Sequence, residues 1–216
     1  MADYEFRQCE WEECRFRFPV EVEGPRASRC PRCGVATKVV GVPASVQGRE
    51  PVKPATPSFS ALLDNIRSIH NVGSMFRTAD GAGVRHLYLC GMTASPAHPK
   101  LGKAALGAQE HVRWTYALNG VDLALSLREQ GYQLWAIDVL EEAESFFDAD
   151  LSIGSLKITV VVGNERAGID PGILALCDRT LYLPMAGHKN SLNVAVAFGI
   201  ISYHLRYARQ SAKSPE

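Results

Sequence analysis

The sequence predicts an α/β fold, with a mostly parallel sheet covered by helices on both faces, preceded by a small cysteine-rich domain. From Phe59 onward, short apolar stretches alternate with stretches whose apolar residues recur at helical spacing. A proline-rich stretch, residues 41–57, separates this region from the first forty residues and predicts a semi-rigid linker. The length of 216 residues suits one domain with an extension.

The composition is that of a globular protein, with 46% hydrophobic and 21% charged residues. Because 23 Lys and Arg balance 23 Asp and Glu, bulk charge does not argue for a nucleic-acid partner, and any basic surface must be local. The charged N-terminus, MADYEFRQ, has no apolar signal core, and no apolar run reaches the roughly 18 residues of a membrane span. We therefore expect a cytoplasmic protein with reduced thiols.

Four cysteines near the N-terminus form two pairs, C-x4-C and C-x2-C, which are separated by fifteen residues: Cys9, Cys14, Cys30 and Cys33. Two such pairs can supply four thiolates to one tetrahedral metal, so we predict structural zinc. Disulfides are the weaker alternative in a reducing compartment, and a knuckle that has lost its metal is another. The segment 1–42 resembles a zinc ribbon or a rubredoxin-like knuckle.

This segment has too few apolar residues to fold without a bound metal or a cross-link. Four aromatic residues are expected to pack around the metal: Phe6, Trp11, Phe16 and Phe18. Arginines alternate with them, so stacking on nucleic-acid bases is the alternative.

In the C-terminal region we predict strands over residues 61–65, 86–90, 112–116, 132–139, 158–162 and 180–183. Helices are predicted over residues 71–81, 122–130 and 191–209, the last with Ser191 as its N-cap. Asp170 and Pro171 read as the N-cap and first residue of a further short helix. Ligands of such sheets bind beyond the carboxyl ends of the strands.

Three polar clusters fall at these strand ends. The first, at 71–77, contains Asn71 and Arg77, and the second, at 163–168, contains Glu165. The third, at 181–197, runs from a strand end through a polar loop to a helix N-terminus, which suits a polar or anionic ligand. An ordinary capped helix is the alternative interpretation of the third cluster.

Other site classes are not indicated. Residues 81–83 give only G-x-G, so a nucleotide-binding oxidoreductase lacks its fingerprint, and no Walker loop or G-x-S-x-G is present. The six histidines show no paired metal spacing, and we expect Cys90 and Cys177 to be small buried hydrophobes.

The three clusters, in this order, resemble the motifs of the SpoU/TrmH-type RNA 2′-O-ribose methyltransferases of the SPOUT superfamily. The sequences concerned are NVGSMFR at 71–77, VGNE at 162–165 with Gly168, and LPM at 183–185 with Gly187 and SLNV at 191–194. Each motif alone is weak, but the ordered triplet is specific. The resemblance covers about residues 59–209.

This resemblance implies a C-terminal trefoil knot that binds S-adenosylmethionine, and a homodimer. It implies catalytic roles for Asn71, Arg77, Glu165, Ser191 and Asn193. It implies contacts to the methyl donor from Gly163, Leu183, Met185, Gly187 and Leu192. We accordingly assign residues 1–42 to a zinc-ribbon-like domain, 43–57 to a linker, 58–210 to a SPOUT methyltransferase domain and 211–216 to a tail.

The implied reaction is methylation of a ribose 2′-hydroxyl in structured RNA, tRNA or rRNA. Accounts of the family give Arg77 a base-like role, but an arginine is protonated essentially always. We expect Arg77 to hold an adjacent phosphate and stabilise the developing alkoxide. We also expect the ribbon to help choose the RNA. A non-catalytic RNA-binding or assembly module is the alternative.

Overall fold

The structure, a computed structural model, describes residues 3–22, 24, 27–44, 59–151 and 156–207. The chain divides into two compact units, Met1–Val52 and Lys53–Glu216. Most of the predicted linker, the end of the last predicted helix at residue 209 and the predicted tail lie outside the described residues. The four domain bounds of the sequence analysis therefore stay predictions.

The first unit holds a three-stranded antiparallel sheet in the order β2-β1-β3, formed by β1 (Tyr4–Cys9), β2 (Arg17–Glu21) and β3 (Thr37–Gly41). Two tight turns carry the cysteine pairs. In the first turn the N–H of Cys14 donates to the carbonyl of Trp11, at 3.0 Å. In the second, the N–H of Gly34 donates to the carbonyl of Cys30, at 2.8 Å, and Gly34 has a φ of 76°, which favours glycine.

The second unit holds a seven-stranded sheet in the order β6-β5-β4-β9-β7-β10-β8, and every strand pair in it is parallel. Its strands are β4 (Ser60–Asp64), β5 (Leu87–Cys90), β6 (Trp114–Ala117), β7 (Tyr132–Ile137), β8 (Glu144–Ser145), β9 (Lys157–Val162) and β10 (Arg179–Tyr182). Its helices are α1 (Ile69–Ala82), α2 (Leu101–Ala105), α3 (Gly120–Glu129), α4 (Pro171–Leu174) and α5 (Val194–Tyr207). The predicted fold class is confirmed.

The helices cover both faces of this sheet because alternate strand residues point to opposite sides. Leu87 and Leu89 of β5 join the core under α1, α2 and α5, whereas Cys90 joins the core under α3 and α4. Central strands are buried on both faces, as the apolar run Ile158–Val162 predicted. Cys90 is fully buried, as expected, whereas Cys177 is partly exposed.

One feature of the strand order bears on the predicted knot. Strand β10 lies between β7 and β8, although those two strands are joined by only six residues, 138–143, and both precede β10 in the chain. The segment 138–143 must therefore pass over the end of β10. Such an order is rare among sheets and is what a threaded chain requires. The trefoil knot itself stays a prediction.

Several element bounds differ from the sequence prediction. The last helix begins at Val194, so the predicted N-cap Ser191 was wrong: Asn193 caps α5, and its Oδ1 accepts from the N–H groups of Ala195 (2.9 Å) and Val196 (3.4 Å). Helix α2 and strand β8 were not predicted because segments this short carry no readable periodicity. The short helix behind Asp170 is confirmed, with its carboxylate accepting from Gly172 at 2.7 Å.

Within the described ranges, no helix combines the length and the apolar character that crossing a membrane requires.

Candidate functional site

A cavity of about 530 Å³ opens at the carboxyl ends of β7, β9 and β10, against the start of α5. This volume lies within the roughly 300–1,000 Å³ of small-molecule sites. The lining includes three residues predicted to contact a methyl donor: Gly163, Leu183 and Leu192. It also includes Glu165, Ser191 and Asn193, which were predicted to be catalytic. The cavity thus lies where the second and third polar clusters meet.

The floor of the cavity is a close contact between two backbone segments. A Cβ on Gly163 would lie 2.3 Å from the carbonyl carbon of Gly168 and from the nitrogen of Ile169. Asn164 fixes the turn between them, because its Oδ1 accepts from the N–H groups of Arg166 (2.9 Å) and Ala167 (3.1 Å). Only glycine at position 163 permits this approach of the two backbone segments.

Glu165 joins this turn to the N-terminus of α1. Its carboxylate accepts from the backbone N–H groups of Arg67 (2.9 Å) and Ser68 (3.0 Å), and from Nδ2 of Asn71 (2.8 Å). Ser68 is the N-cap of α1, and its hydroxyl accepts from the N–H of Asn71. A carboxylate at a helix N-terminus also meets the positive end of the helix dipole.

The pKa of Glu165 is lowered. Partial burial raises it, but the N–H groups of Arg67 and Ser68 and the amide of Asn71 favour the charged form and outweigh burial. A carboxylate that already accepts three hydrogen bonds and binds protons weakly is a poor general base. Its geometry instead suits the positioning of Asn71.

Asn71 connects the first cluster to the third. Nδ2 of Asn193 donates to Oδ1 of Asn71, at 3.1 Å, while Nδ2 of Asn71 donates to Glu165. Since Oδ1 of Asn193 caps α5, each amide has only one orientation that satisfies its partners. The structure therefore brings Asn71, Glu165 and Asn193 into one network beside the cavity.

The other predicted site residues lie in different settings. Ser191 is exposed at the cavity, and its hydroxyl has no hydrogen-bond partner within the described residues. Arg77 is exposed on α1 outside the cavity lining, and its guanidinium likewise has no partner among the residues described. Met185 and Gly187 lie in the loop between β10 and α5 but do not line the cavity.

Sequence reasoning missed the contribution of the end of β7 to the cavity, including a polar residue there. Asp138 follows β7 directly and lines the cavity. Its Oδ1 accepts from the N–H of Val139 at 2.8 Å and its Oδ2 from that of Ile169 at 3.3 Å. The signal was present, because an acidic residue directly after an apolar strand falls at the carboxyl edge of the sheet, but the predicted strand ran on through Val139.

The first unit carries a candidate metal centre. The Sγ atoms of Cys9, Cys14, Cys30 and Cys33 all lie within 4.8 Å of one another. Cys9 and Cys33 are 3.4 Å apart, and Cys14 and Cys30 are 3.9 Å apart. Four thiolates around zinc, with bonds of about 2.3 Å, place their sulfurs roughly 3.8 Å apart. The donor set and its spacing therefore fit a tetrahedral zinc ion.

The four thiols differ in their surroundings. Burial raises the pKa of Cys9 to about 12. Burial also opposes ionisation of Cys30, but N–H groups of Arg32 and Cys33 donate to its sulfur and bring its pKa to about 7. Such N–H groups stabilise a thiolate, the form of cysteine that binds metals.

Comparison with known proteins places this site in a family. The model of the SpoU rRNA Methylase family matches residues 58–203, which contain the cavity and the whole Asn71–Glu165–Asn193 network. The chain belongs to the SpoU rRNA Methylase family. The region that the family model matches thus lies within the second compact unit, and the cysteine-rich unit lies outside it.

Two curated relatives and one solved structure illustrate the similarity. A tRNA (guanosine(18)-2′-O)-methyltransferase of Aquifex aeolicus is 32% identical over 163 residues, 75% of this chain and 75% of that protein. A 23S rRNA (guanosine(2553)-2′-O)-methyltransferase, RlmP, of Bacillus subtilis is 33% identical over 71% of this chain and 60% of that protein. An AdoMet-bound rRNA methyltransferase of Sinorhizobium meliloti matches with a TM-score of 0.64 and 28% identity, over 71% of this chain and 57% of the other. The chain thus spans between 57% and 75% of the lengths of these three proteins.

Proposed function

We propose that this protein transfers a methyl group from S-adenosylmethionine to a ribose 2′-hydroxyl of tRNA or rRNA. The observation that carries the proposal is the hydrogen-bonded network of Asn71, Glu165 and Asn193 beside the cavity, which unites three segments that are distant in sequence. The relatives named as RNA 2′-O-methyltransferases support the reaction, and the AdoMet-bound neighbour supports the donor.

The cavity suits the methyl donor. Its volume of about 530 Å³ is ample for a nucleoside-sized ligand, and its lining combines the bare backbone at Gly163 with the apolar side chains of Leu183 and Leu192. We assign these three residues to donor binding, and Asp138 with its carboxylate at the rim as a further contact. S-adenosylmethionine supplies an electrophilic methyl group on a sulfonium.

The network suits the positioning of an acceptor. An in-line transfer needs the ribose oxygen, the methyl carbon and the sulfur aligned, so fixed geometry supplies much of the rate. Glu165 fixes the amide of Asn71, and Asn71 fixes that of Asn193. Among the described residues the hydroxyl of Ser191 has no partner at the same cavity, so we assign it a contact to the ribose or its phosphate.

Arg77 would act from outside the cavity. Its guanidinium is a permanent cation, so it cannot serve as a base at neutral pH. We propose that it holds a phosphate next to the acceptor ribose and stabilises the alkoxide that develops there. The phosphate or a water molecule then accepts the proton of the ribose 2′-hydroxyl.

We further propose that the protein is a homodimer that pairs through α5. Apolar side chains recur on one exposed stripe of this helix: Val196, Ile200, Tyr203 and Tyr207. An exposed apolar stripe of this kind is typical of an interface between subunits. Arg77 lies one turn before Gly81 on α1, and the hydroxyl of Tyr203 lies over Gly81, so the stripe borders the face of α1 that carries Arg77.

For the first unit we propose structural zinc bound by its four cysteines. The spacing of the sulfurs supports the metal, and the unit has little apolar interior to hold its turns without one. We also propose that this unit helps choose the RNA, since Trp11 and Phe16 are exposed on it. A cytoplasmic location remains part of the same proposal.

The proposal is tested by methyl transfer to unmodified RNA. The protein is incubated with tritiated S-adenosylmethionine and, separately, with tRNA and rRNA that lack the modification, and the labelled RNA is hydrolysed in alkali. Label in an alkali-resistant dinucleotide supports ribose 2′-O-methylation and names the RNA class. Label on a base would contradict the proposed acceptor. Donor binding without any label would favour the non-catalytic module.

A further inference from the structure

An exposed apolar patch lies beside the catalytic network, at the carboxyl ends of β5 and β6. Met92 is 61% exposed, Tyr116 is 41% exposed and Leu118 is 83% exposed. We call these three side chains and the backbone of Gly91 between them the Gly91 patch. Neighbouring exposed apolar side chains of this kind often mark a binding surface.

Two hydrogen bonds of the Gly91 backbone hold the Gly91 patch together. The N–H of Gly91 donates to the carbonyl of Ala117 at 3.0 Å, which places Met92 next to Leu118. The hydroxyl of Tyr116 donates to the carbonyl of Gly91 at 2.6 Å and so fixes the angle of the ring. These hydrogen bonds order the patch and fix the orientation of the Tyr116 ring.

Asn65 joins the Gly91 patch to the active site. Its Oδ1 accepts from the N–H of Met92 at 3.1 Å, and its backbone carbonyl accepts from Nδ2 of Asn164 at 2.7 Å. Nδ2 of Asn164 also lies 3.9 Å from the sulfur of Met92. Since Asn164 directly precedes Glu165, the patch borders the residues that position the acceptor.

The packing between Asn65 and Gly91 fixes the conformation of both residues. Gly91 has a φ of 59°, and a Cβ on it would lie 2.1 Å from Oδ1 of Asn65. Asn65 itself has a φ of 53°, in the left-handed region that asparagine tolerates. The distance between patch and active site is therefore fixed.

The charges around the patch favour an anionic polymer. Arg67, whose backbone N–H donates to Glu165, and Arg166, which follows Glu165 in the chain, are both exposed, and within the described residues neither guanidinium has a partner. The carboxylate of Glu165 is held by three donors, and Asp64, beside Asn65, is buried. An apolar face and two exposed cations near the same network have the chemistry that binds an unpaired base and its flanking phosphates.

We propose that the Gly91 patch binds one unpaired nucleobase of the RNA substrate, next to the nucleotide whose ribose enters the active site. This inference rests on the proposed methyl transfer and deepens it, because it assigns the residues that contact the neighbouring base. Apolar contact with the face of a base tolerates any sequence, so the patch selects single-stranded or splayed-out nucleotides over duplex.

The test compares three variants of the full-length protein: Met92→Ala with Leu118→Ala, Arg67→Ala with Arg166→Ala, and Leu125→Ala as a control that truncates an exposed leucine of α3. Steady-state methyl transfer to unmodified tRNA and rRNA gives kcat and KM for RNA, and calorimetry gives the affinity for S-adenosylmethionine. Filter binding of the same RNA with S-adenosylhomocysteine present, at several salt concentrations, gives the salt dependence.

We expect the patch variant to raise the KM for RNA about tenfold, because it removes two of the three apolar side chains that contact the base, with donor affinity unchanged. Its salt dependence should stay that of the wild type, whereas the arginine variant should reduce the slope of log K against log salt by about 1.5. A patch variant that matches wild type and Leu125→Ala in KM would overturn the inference alone. A wild-type protein that binds donor but labels no RNA would overturn the proposed function and this inference with it.

Discussion

Asn71 and Asn193 lie 122 residues apart in the chain, yet Nδ2 of Asn193 donates to Oδ1 of Asn71 at 3.1 Å. The same Asn193 caps α5, and the same Asn71 donates to Glu165. The N-termini of two helices and the turn after β9 are thereby tied at one point beside the cavity. A change of Asn71 should affect acceptor geometry more than donor binding, because Asn71 does not line the cavity.

Replacing Arg77 should separate catalysis from donor binding. Arg77→Ala is expected to lower the single-turnover methylation rate by at least about a hundredfold, because it removes the cation proposed to stabilise the alkoxide. Donor affinity, measured by calorimetry, should stay within about threefold of wild type, since Arg77 lies outside the cavity lining. Loss of donor binding in this variant would contradict the assignment.

Gly163→Ala should disrupt the cavity floor. The added methyl would lie 2.3 Å from the backbone of Gly168 and Ile169, which cannot move without opening the turn held by Asn164. We expect a loss of about 2 kcal/mol or more in the free energy of unfolding, measured with denaturant, and weaker donor binding. Gly102→Ala is the matched control, because its new methyl would meet Nε2 of Gln109 at an ordinary 3.6 Å. Equal stability of the two variants would show that the floor is not rigid.

The lowered pKa of Glu165 predicts a pH-dependent contribution to stability. A carboxyl whose folded pKa is depressed stabilises the fold above its unfolded pKa, near 4.5, and this contribution is lost as the pH falls through the lower folded pKa. The melting temperature of Glu165→Gln should therefore fall below that of wild type at pH 7, and the difference should shrink as the pH falls below 4.5. Glu141→Gln, at an exposed position, should show no such difference. A gap between wild type and Glu165→Gln that stays constant down to the acid limit would refute this interpretation.

The four-cysteine cluster predicts one zinc ion per chain. Mass spectrometry of metal content should find about one equivalent in the wild-type protein and much less in Cys30→Ser, because three thiolates do not complete the tetrahedral site. Cys177→Ser makes the same substitution outside the cluster and should retain the metal. A wild-type chain free of zinc after purification in zinc-containing medium would support the degenerate knuckle instead.

Much of the fold and part of the site could be predicted from the sequence. The alternation of apolar and amphipathic stretches indicated the parallel sheet, because buried strands such as Ile158–Val162 have an unmistakable composition. The resemblance to ordered SpoU motifs brought Asn71, Glu165 and Asn193 together, and the network of hydrogen bonds among them agrees with it.

The remaining features depended on geometry that no local pattern encodes. Ser191 and Asn193 are both good capping residues, and only the path of the loop decides which one meets the helix. Asp138 could not be separated from the end of a strand by periodicity alone, since strand bounds are uncertain by a few residues. The need for glycine at position 163 arises from a contact with Gly168, which a one-dimensional reading does not reveal.

The central claim is that the Asn71–Glu165–Asn193 network positions the RNA ribose for methyl transfer. The most direct measurement is the single-turnover rate of label transfer from tritiated S-adenosylmethionine to unmodified RNA by Asn71→Asp, with donor affinity measured in parallel. Nδ2 of Asn71 donates to the carboxylate of Glu165 at 2.8 Å. This isosteric change replaces that nitrogen with a carboxylate oxygen, so two negative charges repel each other there. We predict a rate at least about a hundredfold below wild type with donor affinity nearly unchanged. A variant that methylates RNA at the wild-type rate would contradict the account.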